Sequence, residues 1–278
     1  MSSDFDARRF KAMERAGFNR IAANYDNAAH LRASLQDALI VAAAPAPGEH
    51  WLDVASGPGL LARAMAPRLG PTGFVLATDI ADGMLAHARQ CLTADSGTIL
   101  FAATDAEHLC TPDDHFDGIS IGLGLFALPH PDKALTELHR SLKPGGRIAL
   151  SVWGAAGSVP LIERAQQCIA RLLPAPKVAR PSVFRFGDPA YLNAMLSEAG
   201  FSNIRLEPHD FHCRFATADA YWDAFLALAG GATEALSRLP EDKQQALRAA
   251  VADDLTDLAD ADGYHVPAST LIASAIKP

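Results

Sequence analysis

The sequence contains few cysteines, and their spacing forms no recognisable motif. Four cysteines, at positions 91, 110, 168 and 213, are scattered along 278 residues. Because no two of them form a CxxC pair, the sequence predicts neither a disulfide framework nor a metal site. We therefore expect buried, reduced thiols and no bound metal.

The sequence also lacks an excess of positive charge and a long apolar run. Lys and Arg number 24 against 32 Asp and Glu, which gives a formal net charge of -8. A negative chain without a basic patch is not expected to bind nucleic acid through its phosphates. No stretch approaches the roughly 20 apolar residues that span a bilayer, and residues 1–18 are too charged for a signal peptide. These absences favour a cytoplasmic enzyme or binding protein with a small-molecule partner.

What the sequence does contain is a regular alternation of apolar strands and helices. Apolar strands that are separated by helices of 10 to 15 residues indicate a parallel sheet covered on both faces. We predict a doubly wound, Rossmann-like α/β fold with a mostly parallel seven-stranded sheet and a helical cap. In such sheets, ligands bind outside the carboxyl ends of the strands, near the point where strand order reverses. Strands are predicted at 50–55, 74–80, 98–106, 115–125 and 147–154, and helices at 60–70, 82–92 and 131–142.

The two ends of the chain depart from this alternation. Residues 8–44 have helical periodicity, and residues 218–262 form a helical insertion that is either a cap or a dimerisation surface. We divide the chain into an N-terminal helical part (1–48), a core (49–154) and a C-terminal part (155–278). The C-terminal part is predicted to contain a helical stretch at 158–180, a helix at 188–201 and strands at 202–215 and 269–277.

A glycine turn follows the first strand of the core. Gly57, Gly59 and Ala62 fit the GxGxxG/A pattern of dinucleotide-binding proteins, and Asp79 lies about 20 residues further on. However, Asp53 ends the preceding strand, and its carboxylate would repel a pyrophosphate. The ammonium of a methionine tail gains from a nearby carboxylate, and the sulfonium is also positive. The turn therefore favours S-adenosylmethionine over a nicotinamide cofactor.

Five blocks of sequence carry a family resemblance. DVASGPG (53–59), ATDIADGML (77–85), ATDAEHL (103–109), FDGISIGLGLFAL (116–128) and LKPGGRIALSVW (142–153) occur in this order. They resemble the motifs of class I S-adenosylmethionine-dependent methyltransferases, in the branch that includes the ubiquinone and menaquinone C-methyltransferases. The segment AANYD (22–26) resembles the part of that branch which folds over the cofactor as a lid. Ala55 departs from the glycine of most members, but this branch often has alanine there.

The resemblance implies a set of cofactor-binding residues. Asp53 would lie near the ammonium, Asp79 would accept the ribose hydroxyls, and Asp105 would accept the adenine amine. Each residue also has a purely structural interpretation: Asp79 and Asp105 as helix caps or turn formers, and Met84 as core. The implied residues are Tyr25, Asp53, Ala55, Gly57, Gly59, Asp79, Ile80, Met84, Asp105, Ala106, Glu107, Gly122 and Leu123.

Methyl transfer from a sulfonium needs no fixed catalytic motif. Much of the rate can come from positioning the acceptor and excluding water, although a phenol or an enol-like carbon would gain from a base. His130 follows the fourth strand and is our first candidate for that base, with a plain loop residue before Pro131 as the alternative. A second candidate group is Asp210 with His209 and His212, although strand alternation turns His212 to solvent.

The acceptor is predicted from the residues that would form its pocket. Aromatic side chains in and around residues 154–186 and 218–262 suggest a small apolar or aromatic acceptor, with core packing as the alternative. Two other functions stay open: an S-adenosylmethionine-binding protein with a pericyclase-like or regulatory role, and an NAD-dependent oxidoreductase. A second copy of the chain is a further candidate partner. The aromatic residues are Trp153, Phe184, Phe186, Tyr221, Trp222 and Phe225.

Overall fold

The centre of the protein is a single twisted sheet. The computed structural model describes residues 5–176 and 178–278, so predicted segments that include residues 1–4 or 177 lie partly outside the described residues. The strands are β1 (His50–Val54), β2 (Phe74–Asp79), β3 (Ile99–Ala103), β4 (Phe116–Gly122), β5 (Leu142–Trp153), β6 (Ser202–Phe215), β7 (Ala259–Asp260) and β8 (Gly263–Ile276).

The sheet has the predicted doubly wound topology. Its order is β3-β2-β1-β4-β5-β8-β6, and β7 is an additional short strand that pairs with β8. Neighbours from β3 to β5 are parallel, whereas β8 runs antiparallel to both β5 and β6. Strand order reverses between β1 and β4, and this is where a ligand is expected. The prediction of seven strands is confirmed for the main path of the sheet.

Helices cover the sheet and extend beyond its carboxyl edge. The predicted helical stretch 8–44 is broken by a 3-10 turn at Ala28–Arg32, which lets its second half change direction and pack on the sheet. The predicted helical insertion at 218–262 is mostly helical: it contains three α-helices, a 3-10 turn at Thr256–Leu258 and the short strand β7. The helices are α1 (Ala7–Asn27), α2 (Ala33–Ala43), α3 (Leu60–Leu69), α4 (Asp82–Gln90), α5 (Pro131–Ser141), α6 (Pro160–Leu172), α7 (Pro189–Glu198), α8 (Ala218–Leu228), α9 (Gly231–Ser237) and α10 (Glu241–Asp254).

Two strands are longer than their sequence pattern predicts. The last strand begins at Gly263 rather than near 269, because Tyr264 to Ala268 pair with β6. β5 begins at Leu142 rather than at Arg147, so it includes the KPGG segment. Gly145 in this segment has a positive φ of 76°, and its N–H donates to the Lys277 carbonyl over 2.8 Å. Backbone pairing with the chain terminus therefore extends β5 beyond its apolar part.

Within the described residues, no helix combines the length and the apolar character that a membrane crossing requires.

Candidate functional site

A large cavity lies over the carboxyl ends of β1, β2 and β4. Its volume is about 1060 Å³, which is at the upper end of the range for ligand pockets. A pocket of about 70 Å³ adjoins it, and the two share lining residues that include Tyr25, Arg32 and Gly57. The two spaces therefore form one continuous site at the predicted position.

The glycine turn brings the backbone close to this site. Gly57 and Gly59 have φ of 54° and 76°, and the Gly57 N–H donates to Asp79 Oδ2 over 2.9 Å. Ala55 has a φ of 52°, a left-handed conformation that costs a residue with a Cβ roughly 1–2 kcal/mol. This backbone geometry gives a physical reason for the glycine that most of the resembling family has at this position.

Asp79 ends β2 and lines the cavity. Its Oδ1 accepts from the Ala81 N–H over 2.8 Å, while Oδ2 accepts from Gly57. Burial raises the pKa of Asp79, and the backbone N–H groups oppose this shift. Since a carboxylate has about four acceptor positions, Asp79 can still accept hydroxyl groups from a ligand.

Asp53 is a buried carboxylate with an unsatisfied oxygen. It is fully buried, and its Oδ1 accepts from Ser120 Oγ over 2.6 Å. Its Oδ2 has no hydrogen-bond partner among the described residues, and Asp53 is one of the residues that line the small pocket. Burial raises the pKa of Asp53 to about 7, the Ser120 hydroxyl and the Ala62 backbone N–H oppose this shift, and the nearby charge of Asp79 adds to it. A cationic ligand group would relieve the cost of this unpaired carboxylate.

Arg32 is a site residue that the sequence analysis missed. Its side chain is 9% exposed, its guanidinium lies 4.4 Å from the centre of the Tyr25 ring, and Nη1 donates to Tyr25 Oη over 2.6 Å. Nε and Nη2 have no partner among the described residues. These two donors can meet a ligand carboxylate side by side. A lone arginine in a turn between helices has no sequence signal, because only the fold places it among the residues that line the small pocket.

The far end of the site has a mixed lining. Met84 is 1% exposed and, with Ile80 and Ala106, lines the cavity, so it is both core and site. Asp105 Oδ2 lies 2.7 Å from Lys11 Nζ, and Oδ1 accepts from the Glu107 N–H over 3.0 Å. Lys11, another residue that sequence reasoning missed, therefore holds α1 against the loop after β3.

Three predicted residues do not line either space in the described part of the chain: Gly59, Glu107 and His130. Gly59 precedes α3 and shapes the turn. Glu107 is buried, and its carboxylate binds Lys11 Nζ over 2.6 Å and the His130 N–H over 2.8 Å. The role of His130 as a base stays a prediction, and its contacts here are those of a loop residue that begins α5.

The histidines of β6 also lie away from the cavity lining. His212 is exposed, and Phe211, Cys213 and Phe215 are buried, as strand alternation predicts. His209 Nε2 lies 3.3 Å from Ser34 Oγ. No histidine is found among the described residues that line the cavity.

The other half of the cavity is apolar. Trp153 at the end of β5 contributes to this half. α6, the segment after it, α8 and α9 supply further side chains that are almost all aliphatic or aromatic, including Leu161, Ile169, Val183, Phe225 and Leu236. Of the aromatic residues predicted to form an acceptor pocket, Trp153 and Phe225 line the cavity. Phe186, Tyr221 and Trp222 are buried in the core, and Phe184 packs partly buried against it.

One polar pair interrupts this apolar half. Arg180 Nη2 lies 2.9 Å from Glu14 Oε1, and both side chains line the cavity. Burial raises the pKa of Glu14, and the charge of Arg180 opposes this shift. The pair joins α1 to the segment that precedes α7.

Comparison with known proteins agrees with this geometry. The model of a methyltransferase domain family matches residues 52–146. The ubiquinone/menaquinone biosynthesis C-methyltransferase UbiE of Bordetella avium is 52% identical over 103 residues, which are 37% of this chain and 40% of that protein. UbiE of Cupriavidus necator is 32% identical over 210 residues, which are 70% of this chain and 86% of that protein.

A solved structure shares the fold. The phosphoethanolamine N-methyltransferase 2 of Haemonchus contortus, in complex with S-adenosyl-L-methionine, has a TM-score of 0.53 and 19% identity. The match covers 88% of this chain and 52% of that one. Given the extended identity with UbiE of Cupriavidus necator, the chain belongs to the class I S-adenosylmethionine-dependent methyltransferases related to UbiE, and S-adenosylmethionine is its cofactor.

Proposed function

We propose that the chain transfers the methyl group of S-adenosylmethionine to a carbon or oxygen atom of a small apolar or aromatic molecule. One observation carries the proposal: a single cavity joins the polar strand ends to the apolar lining of α6, α8 and α9. The polar half suits the cofactor, and the apolar half leaves room for a second molecule. The name of the UbiE relatives, C-methyltransferases, favours carbon as the acceptor atom.

The unsatisfied groups of the site suggest how the cofactor is oriented. The ammonium of its methionine end would pair with Asp53 Oδ2, and the carboxylate would meet the free donors of Arg32. Asp79 would accept the ribose hydroxyls, and Met84 would pack on the adenine. In this orientation the ammonium and the carboxylate of the cofactor each meet a buried side chain of opposite charge.

The remaining predicted residues shape the walls around the two ends of the cofactor. Ala55, Gly122 and Leu123 form the wall between β1 and β4, beside the methionine end, and Tyr25 closes it from α1. Leu123, like Ala55, has a positive φ, of 52°. Strained backbone of this kind at two neighbouring strand ends is typical of ligand sites, where the surrounding structure must hold it. Ile80 and Ala106 contribute the corresponding wall around the adenine.

The chain's part in the reaction is mainly positioning. When bound, S-adenosylmethionine supplies a methyl group on a sulfonium, which is a good leaving group. α1 would act as a lid, and α8 and α9 as a cap, so that the acceptor is held in line with the methyl group and water is excluded. The described residues that line the cavity include as many basic as acidic side chains, so neither charge is in excess. The basic ones are Lys11, Arg32 and Arg180, and the acidic ones are Glu14, Asp79 and Asp105. This balance favours an uncharged acceptor.

The two other functions considered from the sequence are not favoured. An NAD-dependent oxidoreductase would leave the buried Asp53 carboxylate close to a pyrophosphate, and the family is a methyltransferase family. A binding protein that never transfers the methyl group has no specific observation in its support. A homodimer likewise has none, because α8 and α9 already face the cavity of their own chain.

The proposal is tested by following the methyl group. The purified chain is incubated with methyl-labelled S-adenosylmethionine and a panel of phenols and other small apolar molecules, and products are separated by mass. We expect label in a small product, with turnover reduced at least about tenfold in Asp53→Asn because a charge-assisted contact to the cofactor is lost. Asp242→Asn, which changes an exposed carboxylate on α10, is the matched control and should keep full turnover.

Two results would count against the proposal. If label never leaves the cofactor although the cofactor binds, the non-transfer function is correct. If Asp53→Asn and Asp242→Asn behave alike, the cofactor is not oriented as described. His130→Ala belongs in the same series, because lost turnover with unchanged cofactor affinity is what its predicted role as a base requires.

A further inference from the structure

A group of three side chains that can bind a metal lies outside the cavity. Asp26 is near the C-terminal end of α1, His87 is in the last turn of α4, and Cys91 follows that helix. None of the three is among the described residues that line the cofactor site. Neither the cofactor nor the acceptor explains why these side chains converge.

The three donor atoms form a nearly equilateral triangle. Asp26 Oδ2 lies 3.2 Å from His87 Nε2 and 3.5 Å from Cys91 Sγ, and Cys91 Sγ lies 3.4 Å from His87 Nε2. All three donor atoms lie within 4.8 Å of one another.

These distances match one face of a tetrahedral zinc site. With zinc–nitrogen and zinc–oxygen bonds of about 2.0–2.1 Å and a zinc–sulfur bond of about 2.3 Å, tetrahedral angles place oxygen and nitrogen about 3.4 Å apart. The same geometry places sulfur about 3.6 Å from either atom. Each observed distance is therefore within about 0.2 Å of the value that zinc requires.

The surroundings also suit a bound cation. Arg63 Nη2 holds the other oxygen, Asp26 Oδ1, at 2.6 Å, and this fixes the carboxylate with Oδ2 turned toward His87 and Cys91. The Asp26 and His87 side chains are 19% and 22% exposed, which leaves a path for an ion and room for a water.

We propose that Asp26 Oδ2, His87 Nε2 and Cys91 Sγ bind a zinc ion, with a water molecule as the fourth ligand. One carboxylate, one imidazole and one thiolate are the donor types that zinc accepts together. Binding forms the Zn–S bond at the expense of the Cys91 S–H bond, and the thiol proton leaves to solvent. The imidazole binds in its neutral form through Nε2, with its proton on Nδ1.

This site would connect the lid to the core. Asp26 follows Tyr25, whose Cε1 would lie 3.9 Å from a Cβ on Gly57, in the turn that binds the cofactor. His87 lies in α4, which packs on β2 and β3, and Cys91 directly follows that helix. A metal across this joint would hold the end of α1 against the sheet independently of any reaction in the cavity.

The proposal is tested by metal binding to the full chain under reducing conditions. Zinc affinity is measured by competition with a chromophoric chelator, and cobalt(II) is used as a probe of thiolate coordination through its charge-transfer absorption. We expect one equivalent bound, a thiolate–cobalt band, and affinity at least about tenfold weaker in both Cys91→Ser and His87→Gln. Cys110→Ser and His108→Gln are the matched controls, because both residues are exposed and outside the cluster.

Other outcomes would overturn the inference. Absence of stoichiometric binding would mean that the three side chains only hydrogen-bond to one another. Binding that survives Cys91→Ser, or that weakens equally in Cys110→Ser, would place the ion elsewhere. Thermal unfolding of each variant without metal checks that its fold is intact, and Asp26→Asn repeats the test at the third ligand without removing side-chain volume.

Discussion

At the scale of single residues, the site is marked by polar groups that the protein itself leaves unsatisfied. Asp53 Oδ2 and two donors of Arg32 are buried without partners among the described residues. Each buried group without a hydrogen-bond partner lowers the stability of the folded protein by roughly 1–3 kcal/mol, and by more when it is charged. The two side chains line the same small pocket, so a ligand with an ammonium and a carboxylate satisfies both.

The role of Arg32 predicts a selective loss of affinity. In Arg32→Leu, S-adenosylhomocysteine should bind about 10- to 100-fold more weakly, because a charge-assisted contact to the amino-acid carboxylate is removed. 5′-Methylthioadenosine, which lacks that carboxylate, should bind Arg32→Leu and the unchanged chain nearly equally. Calorimetric titration of both ligands measures the difference, with the exposed Arg68→Leu as control. Equal losses for the two ligands would show that Arg32 is structural.

The pKa of Asp53 predicts a pH dependence of opposite sign for stability and for cofactor affinity. Burial raises this pKa from 3.8 to about 7, so the folded free protein binds a proton that the unfolded chain has already released. The stability that this proton supplies is present below about pH 4 and is lost as pH rises to about 7. Cofactor affinity should instead rise by up to tenfold per pH unit until about pH 7, because the ammonium favours ionised Asp53.

These slopes are measured by thermal unfolding of the free protein and by titration with S-adenosylhomocysteine between pH 5 and pH 8. Asp53→Asn cannot ionise, so its affinity should be weak and nearly independent of pH over this range. A steep slope that persists in Asp53→Asn would assign the titration to a different group.

At the scale of elements, α1 connects the cofactor half of the site to the cap. Tyr25 lies by the glycine turn, Lys11 binds Asp105, and Gly17 packs directly on the backbone of Gly231 at the start of α9. A Cβ at Gly17 would overlap the Gly231 backbone, so only glycine permits this close crossing. The contact brings the lid and the cap together over the cavity.

Gly17→Leu should therefore separate α1 from α9. We expect a loss of about 1–3 kcal/mol in the free energy of unfolding, from overpacking, and faster dissociation of S-adenosylhomocysteine. Chemical denaturation and stopped-flow displacement measure the two effects. Ala16→Leu, an exposed change on the same helix, should alter neither. If the two variants dissociate the ligand at the same rate, α1 does not retain the cofactor.

At the scale of the whole molecule, the sequence predicted the parallel strands of the sheet more accurately than it predicted the N-terminal helical segments and the start of β8. Strands β1 to β5 and their helices follow from local periodicity, because each buried strand and each amphipathic helix must cover the other. The N-terminal helical stretch is interrupted by a 3-10 turn at Ala28–Arg32, and the position of its two helices on the sheet depends on tertiary packing. The start of β8 was missed because its pairing with β6 joins segments far apart in the chain.

The residues of the candidate site likewise fall into those that the sequence pattern predicted and those that it did not. Asp53, Gly57 and Asp79 could be predicted because they follow strands at fixed spacings and meet at one edge of the sheet. Arg32, Lys11 and Glu14 could not, since each lies on an N-terminal helical segment whose packing on the site depends on long-range contacts. His130 follows β4, as its spacing predicts, but it is not among the described residues that line the cavity, and its role as a base stays a prediction.

The sequence by itself determined the fold class, the family and the strand ends that line the cavity, because these depend on local patterns repeated in order. Only the tertiary structure decided which distant side chains meet. It placed Arg32 in the same small pocket as Asp53, made the apolar helices α8 and α9 part of the cavity wall, and brought Asp26 to His87 and Cys91. These contacts between distant side chains depend on how the helices pack, which no single stretch of sequence encodes.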